Sequence, residues 1–255
     1  MRTIIFLPIF LICLISVPSP AAAQQSRFDE ANRLLEENRF EEALPLYRSL
    51  EEEGYHSGAL WLNIGIAYTQ MDSLGMAKYY LLRAADQLET RTFALQALDY
   101  VNERFPRRSA LLPELPWNRF FTFLSERFGI TVLLVIALLL LNLAAALLIG
   151  SWFRNDLRKL FRLTSFSLFG FSVLFLFFSV IIHYQKNRFS TGIVTDRQTA
   201  VYQLPEESAT QITTAFEGFA LRIDFKRSDE AEGWHYVRLE NGMFGWIRNE
   251  GIRVL

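Results

Sequence analysis

Two long, predominantly apolar runs, Ile130 to Ile149 and Phe166 to Ile182, contain no charged side chain. At a rise of about 1.5 Å per residue, each run roughly matches the hydrocarbon thickness of a bilayer. A helix that is apolar on every side needs burial on every side, which lipid supplies and a small soluble domain does not. The pattern therefore predicts transmembrane helices over 129–150 and 164–184, joined by a loop over 151–163. Arg154, Arg158, Lys159 and Arg162 crowd that loop against the single acid Asp156. Such an excess of basic residues marks a cytoplasmic loop, although Arg119, Arg127, Lys186 and Arg188 also flank the runs on the other side. Trp152-Phe153 and His183-Tyr184 end the two runs, as suits aromatic side chains at headgroup level. Asn142 and Ala144 to Ala146 form the expected contact between the helices, because small and polar residues favour close approach in lipid.

A third apolar stretch, Ile4 to Val17, follows the basic start Met1-Arg2 and precedes a small-residue segment with Ala21 and Ala23 in A-x-A spacing. This arrangement predicts a signal peptide over 1–23. A leader of that kind sends the next segment across the membrane, and the hairpin then returns the chain to the same side. Both soluble segments are thus expected outside the cytoplasm. Cys13 is the only cysteine, so removal of the leader would leave no disulfide, thiolate nucleophile or cysteine metal site. Ahead of the first span, Trp117, Phe120, Phe121, Leu124 and Phe128 recur at helical spacing behind Pro116. Residues 116–128 are read as an interfacial amphipathic helix, with a soluble helix packed on the preceding domain as the other reading.

From Phe28 to about Pro106 the apolar positions follow helical spacing and repeat with a period of 34 residues. Ala31 maps onto Gly65, Leu34 onto Tyr68, Ala43 onto Ala77, Tyr47 onto Leu81 and Leu50 onto Ala84. Gly65 and Ala77 are small where two helices of a repeat would cross, and Trp61, Tyr68 and Leu81 would fill the space around them. The period and these positions resemble the tetratricopeptide repeat, which is expected over 24–110. Arg27 and Ala31 stand where the motif has Trp and Gly, so the first copy is degenerate. Residues 92–104, with Phe93, Leu95, Leu98, Val101 and then Phe105, are expected to form a third leading helix that caps the array. The resemblance implies a protein-binding groove lined by Asn32, Leu35, Asn63, Ile66 and Gln70. The acidic runs Glu36-Glu37, Glu41-Glu42 and Glu51-Glu52-Glu53 read as a solvated face.

Beyond the second run the pattern becomes short and alternating. Strands are predicted at Ile193-Val194, Ala200 to Tyr202, Phe219 to Phe225, Trp234 to Leu239 and Phe244 to Ile247. Asn241-Gly242 between the last two predicts a tight hairpin with positive φ at both residues. The segment from Gly233 to Ile247, with Gly233-Trp234 and Gly245-Trp246, resembles the bacterial SH3-like domain, here over 190–255. That resemblance implies a small β-barrel with Trp246 mainly in its core, and a groove at Tyr202, His235, Tyr236 and Trp246.

The formal charge is −1 and hydrophobic residues make up 51% of the chain, which offers nothing to nucleic acid. His56, His183 and His235 fall in three separate regions, with no nucleophile, carboxylate pair, phosphate loop or metal-ligand spacing beside them. The sequence thus predicts an α+β multidomain membrane protein that is not an enzyme and needs no cofactor. The order of leader, tetratricopeptide repeats, paired spans with a basic loop and SH3-like domain resembles the BatE family of the Bacteroides aerotolerance operon. This resemblance implies a two-pass bacterial inner-membrane protein with periplasmic modules. Its implied partners are von Willebrand factor A-type Bat proteins and a MoxR-type ATPase. A peptidoglycan-binding sensor or tether is the competing expectation.

Overall fold

The computed structural model describes residues 20–106 and 116–255. The predicted leader lies outside the described residues except for Pro20–Ala23, which open the first helix. The side chains of 116–128 lie outside them too, apart from exposed Phe123. The chain divides into two compact units, with the division between Val101 and Asn102 in sequence.

Five helices make up the first unit: α1 (Pro20–Glu36), α2 (Phe40–Glu52), α3 (Gly58–Gln70), α4 (Leu74–Ala85) and α5 (Arg91–Arg104). The period of 34 is written into the backbone. Asn38 and Asp72, which end the α1–α2 and α3–α4 turns, both take the left-handed conformation with φ of 61° and 59°. Asparagine and aspartate tolerate that region better than most residues. Arg39 N–H donates to Leu34 O at 2.8 Å, and its counterpart Ser73 N–H donates to Tyr68 O at 3.0 Å. Ala31, Ala43, Tyr47 and Leu50 are fully buried, as are Ala77, Leu81 and Ala84 in the second copy. Gly65 is small of necessity: a β-carbon there would lie 2.7 Å from Leu81 Cγ. Ser57 caps α3, its hydroxyl accepting from Leu60 N–H at 3.1 Å. In α5 the packed residues are Ala94, Leu98 and Val101, whereas Phe93 and Leu95, expected on that face, are exposed. The helix is rotated so that its smallest side chain meets the array.

The second unit opens with α6 (Pro116–Phe153), which is interrupted at Gly129, where φ of 66° and ψ of 164° leave the helical region. Only glycine adopts that pair of angles readily. The part beyond the break, Gly129–Phe153, is long and apolar enough to cross a membrane. One turn of 3-10 helix (Asn155–Leu157) then reverses the chain into α7 (Arg158–Arg188). The Arg158 guanidinium donates to Ser151 O at 3.3 Å, satisfying a carbonyl at the end of α6.

Small residues line the seam of the hairpin, and most of its large apolar side chains face outward. Ala137, Ala144 and Ser151 on α6, and Ser165, Ser172 and Ser179 on α7, recur every seven residues and are buried. Ser165 Oγ donates to Ala144 O at 2.7 Å, and Ser172 Oγ to Ala137 O at 2.8 Å. Leu139, Leu163, Phe166 and Phe177 face outward, more than half exposed. Only 17% and 22% of the most apolar stretches are buried, the inverse of a soluble core helix and the pattern lipid favours. Asn142, expected at the contact, is exposed and its amide donates back to Leu138 O at 2.8 Å. Ala145 and Ala146 also face outward, so of the expected contact residues only Ala144 lies in the seam.

Strand β1 (Phe189–Val194) follows α7 directly, and β2 (Gln198–Tyr202), β3 (Gln211–Phe216), β4 (Ala220–Asp224), β5 (Trp234–Leu239), β6 (Phe244–Arg248) and β7 (Ile252–Val254) complete an antiparallel sheet. A four-residue helix, α8 (Phe225–Ser228), follows β4. The order is β3-β2-β6-β5-β4-β1-β7. Every strand contributes to one core, including Val194, Val201, Ala215, Leu221, Val237, Ile247 and Ile252. The sheet wraps this core but does not close into the expected barrel: β3 pairs only with β2 and β7 only with β1. The β2–β6 seam rests on the single pair Tyr202–Trp246, and β7 is three residues long. The β5–β6 turn also departs from expectation. It centres on Glu240-Asn241, closed by Gly242 N–H donating to Leu239 O at 2.9 Å, and only Gly242 has positive φ. The Asn241 side chain accepts from Met243 N–H at 3.1 Å, which supports the turn without left-handed backbone at Asn241.

Ala77→Phe should overpack the fully buried α3–α4 crossing and destabilise the helical array by about 1–3 kcal/mol. Chemical denaturation followed by circular dichroism checks this; an unchanged midpoint would mean that the helices do not meet at Ala77.

Candidate functional sites on the helical array and the sheet

Of the five residues assigned to the helical groove, the structure joins two. Tyr47 Oη donates to Asn32 Oδ1 at 2.8 Å, and Asn63 Nδ2 donates to the same oxygen at 2.8 Å. Asn32 and Asn63 are half-buried. Burial pushes the Tyr47 hydroxyl up to about 12, so it remains a donor at neutral pH. These amides are therefore tied partly to each other across α1, α2 and α3. Leu35 and Ile66 are half-buried and Gln70 is exposed, which leaves them as the accessible part of the predicted set.

The acidic runs do more than face solvent. Glu51 on α2 accepts from Trp61 Nε1 at 3.2 Å on α3 and from Tyr80 Oη at 2.8 Å on α4, and it pairs with Arg83 on α4. The Arg83 guanidinium lies 4.2 Å from the centre of the Trp61 ring. Burial holds the Tyr80 hydroxyl well above its ordinary pKa. Glu51 thus clamps three helices from a largely buried position. Arg27–Glu53, Arg33–Glu37 and Arg39–Glu42 are more exposed pairs, of the kind that contributes little to stability.

Residues at alternate positions of the sheet share a face. Val237, Leu239 and Ile247 face the core, while Trp234, Tyr236, Arg238, Phe244, Trp246 and Arg248 share the opposite face. Trp246 is only 8% exposed, yet it is buried by neighbours on this outer face and not by the core. Tyr202 and Tyr236 both pair with it across strands. Tyr236 and Trp246 meet edge to face at 5.3 Å, as do Tyr202 and Trp234 at 5.6 Å. Arg248 lies 4.7 Å from the Trp234 ring centre. Three of the four predicted residues therefore form one aromatic surface. His235 points the other way. It packs against Phe225 at 6.4 Å on the core side, with Nδ1 buried and without a hydrogen-bond partner among the described residues.

Beside this aromatic surface is a feature the sequence reading missed. A cavity of about 320 Å³ is lined by Arg188, Arg222, Arg227 and Arg238, with Asp224, Phe189, Tyr236 and Phe244. Alternation along β4 and β5 already put Arg222 and Arg238 on the outer face. Their meeting needed the cross-strand register, which pairs Arg222 directly with Arg238. No group of three or more histidine, cysteine, aspartate or glutamate side chains converges among the described residues.

The buried ring of His235 generates a pH dependence. Burial lowers its pKa below the ordinary 6.5, so the unfolded chain takes up a proton that the folded chain refuses. Stability from this group is complete above the ordinary value and is lost as pH falls from there toward the folded value. The sheet should melt at a lower temperature at pH 5 than at pH 7.5, and His235→Phe should flatten that difference. For one proton the slope cannot exceed about 1.4 kcal/mol per pH unit. A wild-type melting temperature that is the same at both pH values would disprove the assignment.

Compared with protein-family models, curated proteins and solved structures, the chain matches none.

Proposed function

We propose that the chain is a non-enzymatic, membrane-anchored scaffold. Its N-terminal helical array, read as tetratricopeptide repeats, captures protein partners beside the membrane. The observation that carries this reading is the antiparallel hairpin with its small-residue seam. A hairpin returns the chain to the leaflet it entered from, so the modules before and after it share one compartment. The leader and the basic loop make that compartment the periplasm of a bacterial inner membrane. The arrangement is that of a BatE-type member of an aerotolerance complex, with von Willebrand factor A-type proteins and a MoxR-type ATPase as partners. Repeated helix pairs give such a module an extended surface for partner capture, and Leu35, Ile66 and Gln70 are its accessible residues.

The outer aromatic face of the sheet favours a second reading, a peptidoglycan-binding sensor or tether. Tyr202, Tyr236 and Trp246 form a surface on which a sugar ring would stack. Capture experiments separate the two. Ile66→Ala with Gln70→Ala should reduce co-purification of membrane proteins from crosslinked cells several-fold, and deletion of 190–255 should reduce it less. Retention on purified peptidoglycan that is lost with Trp246→Ala would establish the tether instead.

Topology has its own test. Reporter fusions at residues 110 and 255 should report the periplasm, and a fusion at residue 156 the cytoplasm. A cytoplasmic signal at 255 is incompatible with the hairpin.

A further inference from the structure

The arginine-lined cavity sits where α7 gives way to the sheet, and its charges are unevenly matched. Asp224 is its only carboxylate, and Arg188 already engages it. Arg188 Nε donates to Asp224 Oδ1 at 3.1 Å, and Arg188 Nη2 donates to Oδ2 at 2.7 Å. Arg222, Arg227 and Arg238 have no ion pair with any described residue. Arg222 and Arg238 nevertheless stand directly opposite each other on β4 and β5, a placement that destabilises a sheet when the charges are alike. Burial, and then the neighbouring Arg238, lower the pKa of Arg222, so the same repulsion appears in its protonation.

The aromatic residues of the cavity hold these cations in place. Arg222 lies 4.1 Å from the ring centre of Phe189, Arg227 4.3 Å from Tyr236 and Arg238 5.3 Å from Phe244. A guanidinium over a ring gives up one face to it, while its N–H groups, which lie in its own plane, remain donors for an oxygen-bearing anion. One guanidinium satisfies a carboxylate through two parallel bonds. Three around one cavity suit a tetrahedral anion that accepts from several directions.

The position of the cavity identifies the source of that anion. Arg188 is the last residue of α7 and lies four residues beyond Tyr184, roughly 6 Å at helical rise. The headgroup layer of one leaflet is about 5–7 Å thick outside the hydrocarbon. We propose that this cavity binds the phosphate of an anionic glycerophospholipid in the leaflet from which α7 emerges, with Arg222 and Arg238 as its principal ligands. The proposal rests on the reading of α7 as a membrane span.

Its test uses the full chain in detergent micelles, titrated with phosphatidylglycerol or phosphatidylcholine and read by native mass spectrometry. Wild type should bind phosphatidylglycerol about tenfold or more tightly than phosphatidylcholine, and R222Q/R238Q should lose that preference. The basic residues Arg154, Arg158, Lys159 and Arg162 at the α6–α7 turn are unchanged in both proteins, so the difference reads the cavity alone. Equal preference in wild type and variant would overturn the proposal. So would displacement of the lipid by millimolar inorganic phosphate, which would mark a site for free phosphate. A photoactivatable phosphatidylglycerol analogue on the wild type needs no variant to fold. It should label peptides from β4 and β5, and labelling confined to 151–163 would overturn the proposal. A chain that stays soluble after detergent removal would overturn the span itself, a failure distinct from loss of lipid preference.

Discussion

The second unit depends on one packing constraint, the close approach of two apolar helices, each long enough to cross a membrane. The hairpin meets it by turning Ser151, Ser165, Ser172 and Ser179 inward. Ser165 and Ser172 donate to carbonyls of the facing helix, so each hydroxyl is satisfied and also fixes the register of α6 against α7. Interhelical hydrogen bonds of this kind contribute only about 0.6 kcal/mol each, but the small residues at every seventh position also let the backbones approach. A bulky side chain at Ser172 would forfeit both effects. The sheet, with its aromatic face and the arginine cavity, continues directly from the end of α7.

What the sequence disclosed, and what it withheld, follows from the range of the interactions. The apolar runs and the alternating segments are local patterns, and they disclosed two spanning-length helices and an antiparallel sheet. The crossing at Gly65 and Ala77 was visible because smallness recurs at matched positions of a repeat. The serine seam was not read, since a serine inside an apolar run looks like dilution until its partner is known. Asn142 drew attention by its polarity, yet its amide finds Leu138 O on its own helix. Strands β3 and β7 were missed because polar threonines and a three-residue length blur their alternation. The open sheet depends on pairings between distant residues, which no local pattern encodes.

Two sets of stacked arginines show how structural and unspent charge differ. Arg83 lies over Trp61 and is paired with Glu51. Its charge is consumed in holding α2, α3 and α4 together. Arg222 lies over Phe189 at nearly the same distance and has no ion pair with a described residue. The first arrangement is complete as it stands, while the second pairs like with like across two strands. In the sequence the two arginines look alike, and only their counterions tell them apart.

The passage from α7 into β1 has a mechanical meaning. The last helical residue, Arg188, is followed at once by the first strand residue, and the same arginine is bound to Asp224 on β4. Nothing in this junction works as a swivel. Each residue of an α-helix turns the chain by about 100°, so inserting one residue in α7 would carry the sheet around the helix axis by that angle. Rotation of the helix within the bilayer would likewise turn the aromatic face as a rigid vane. Force applied to the sheet reaches the hairpin through continuous secondary structure.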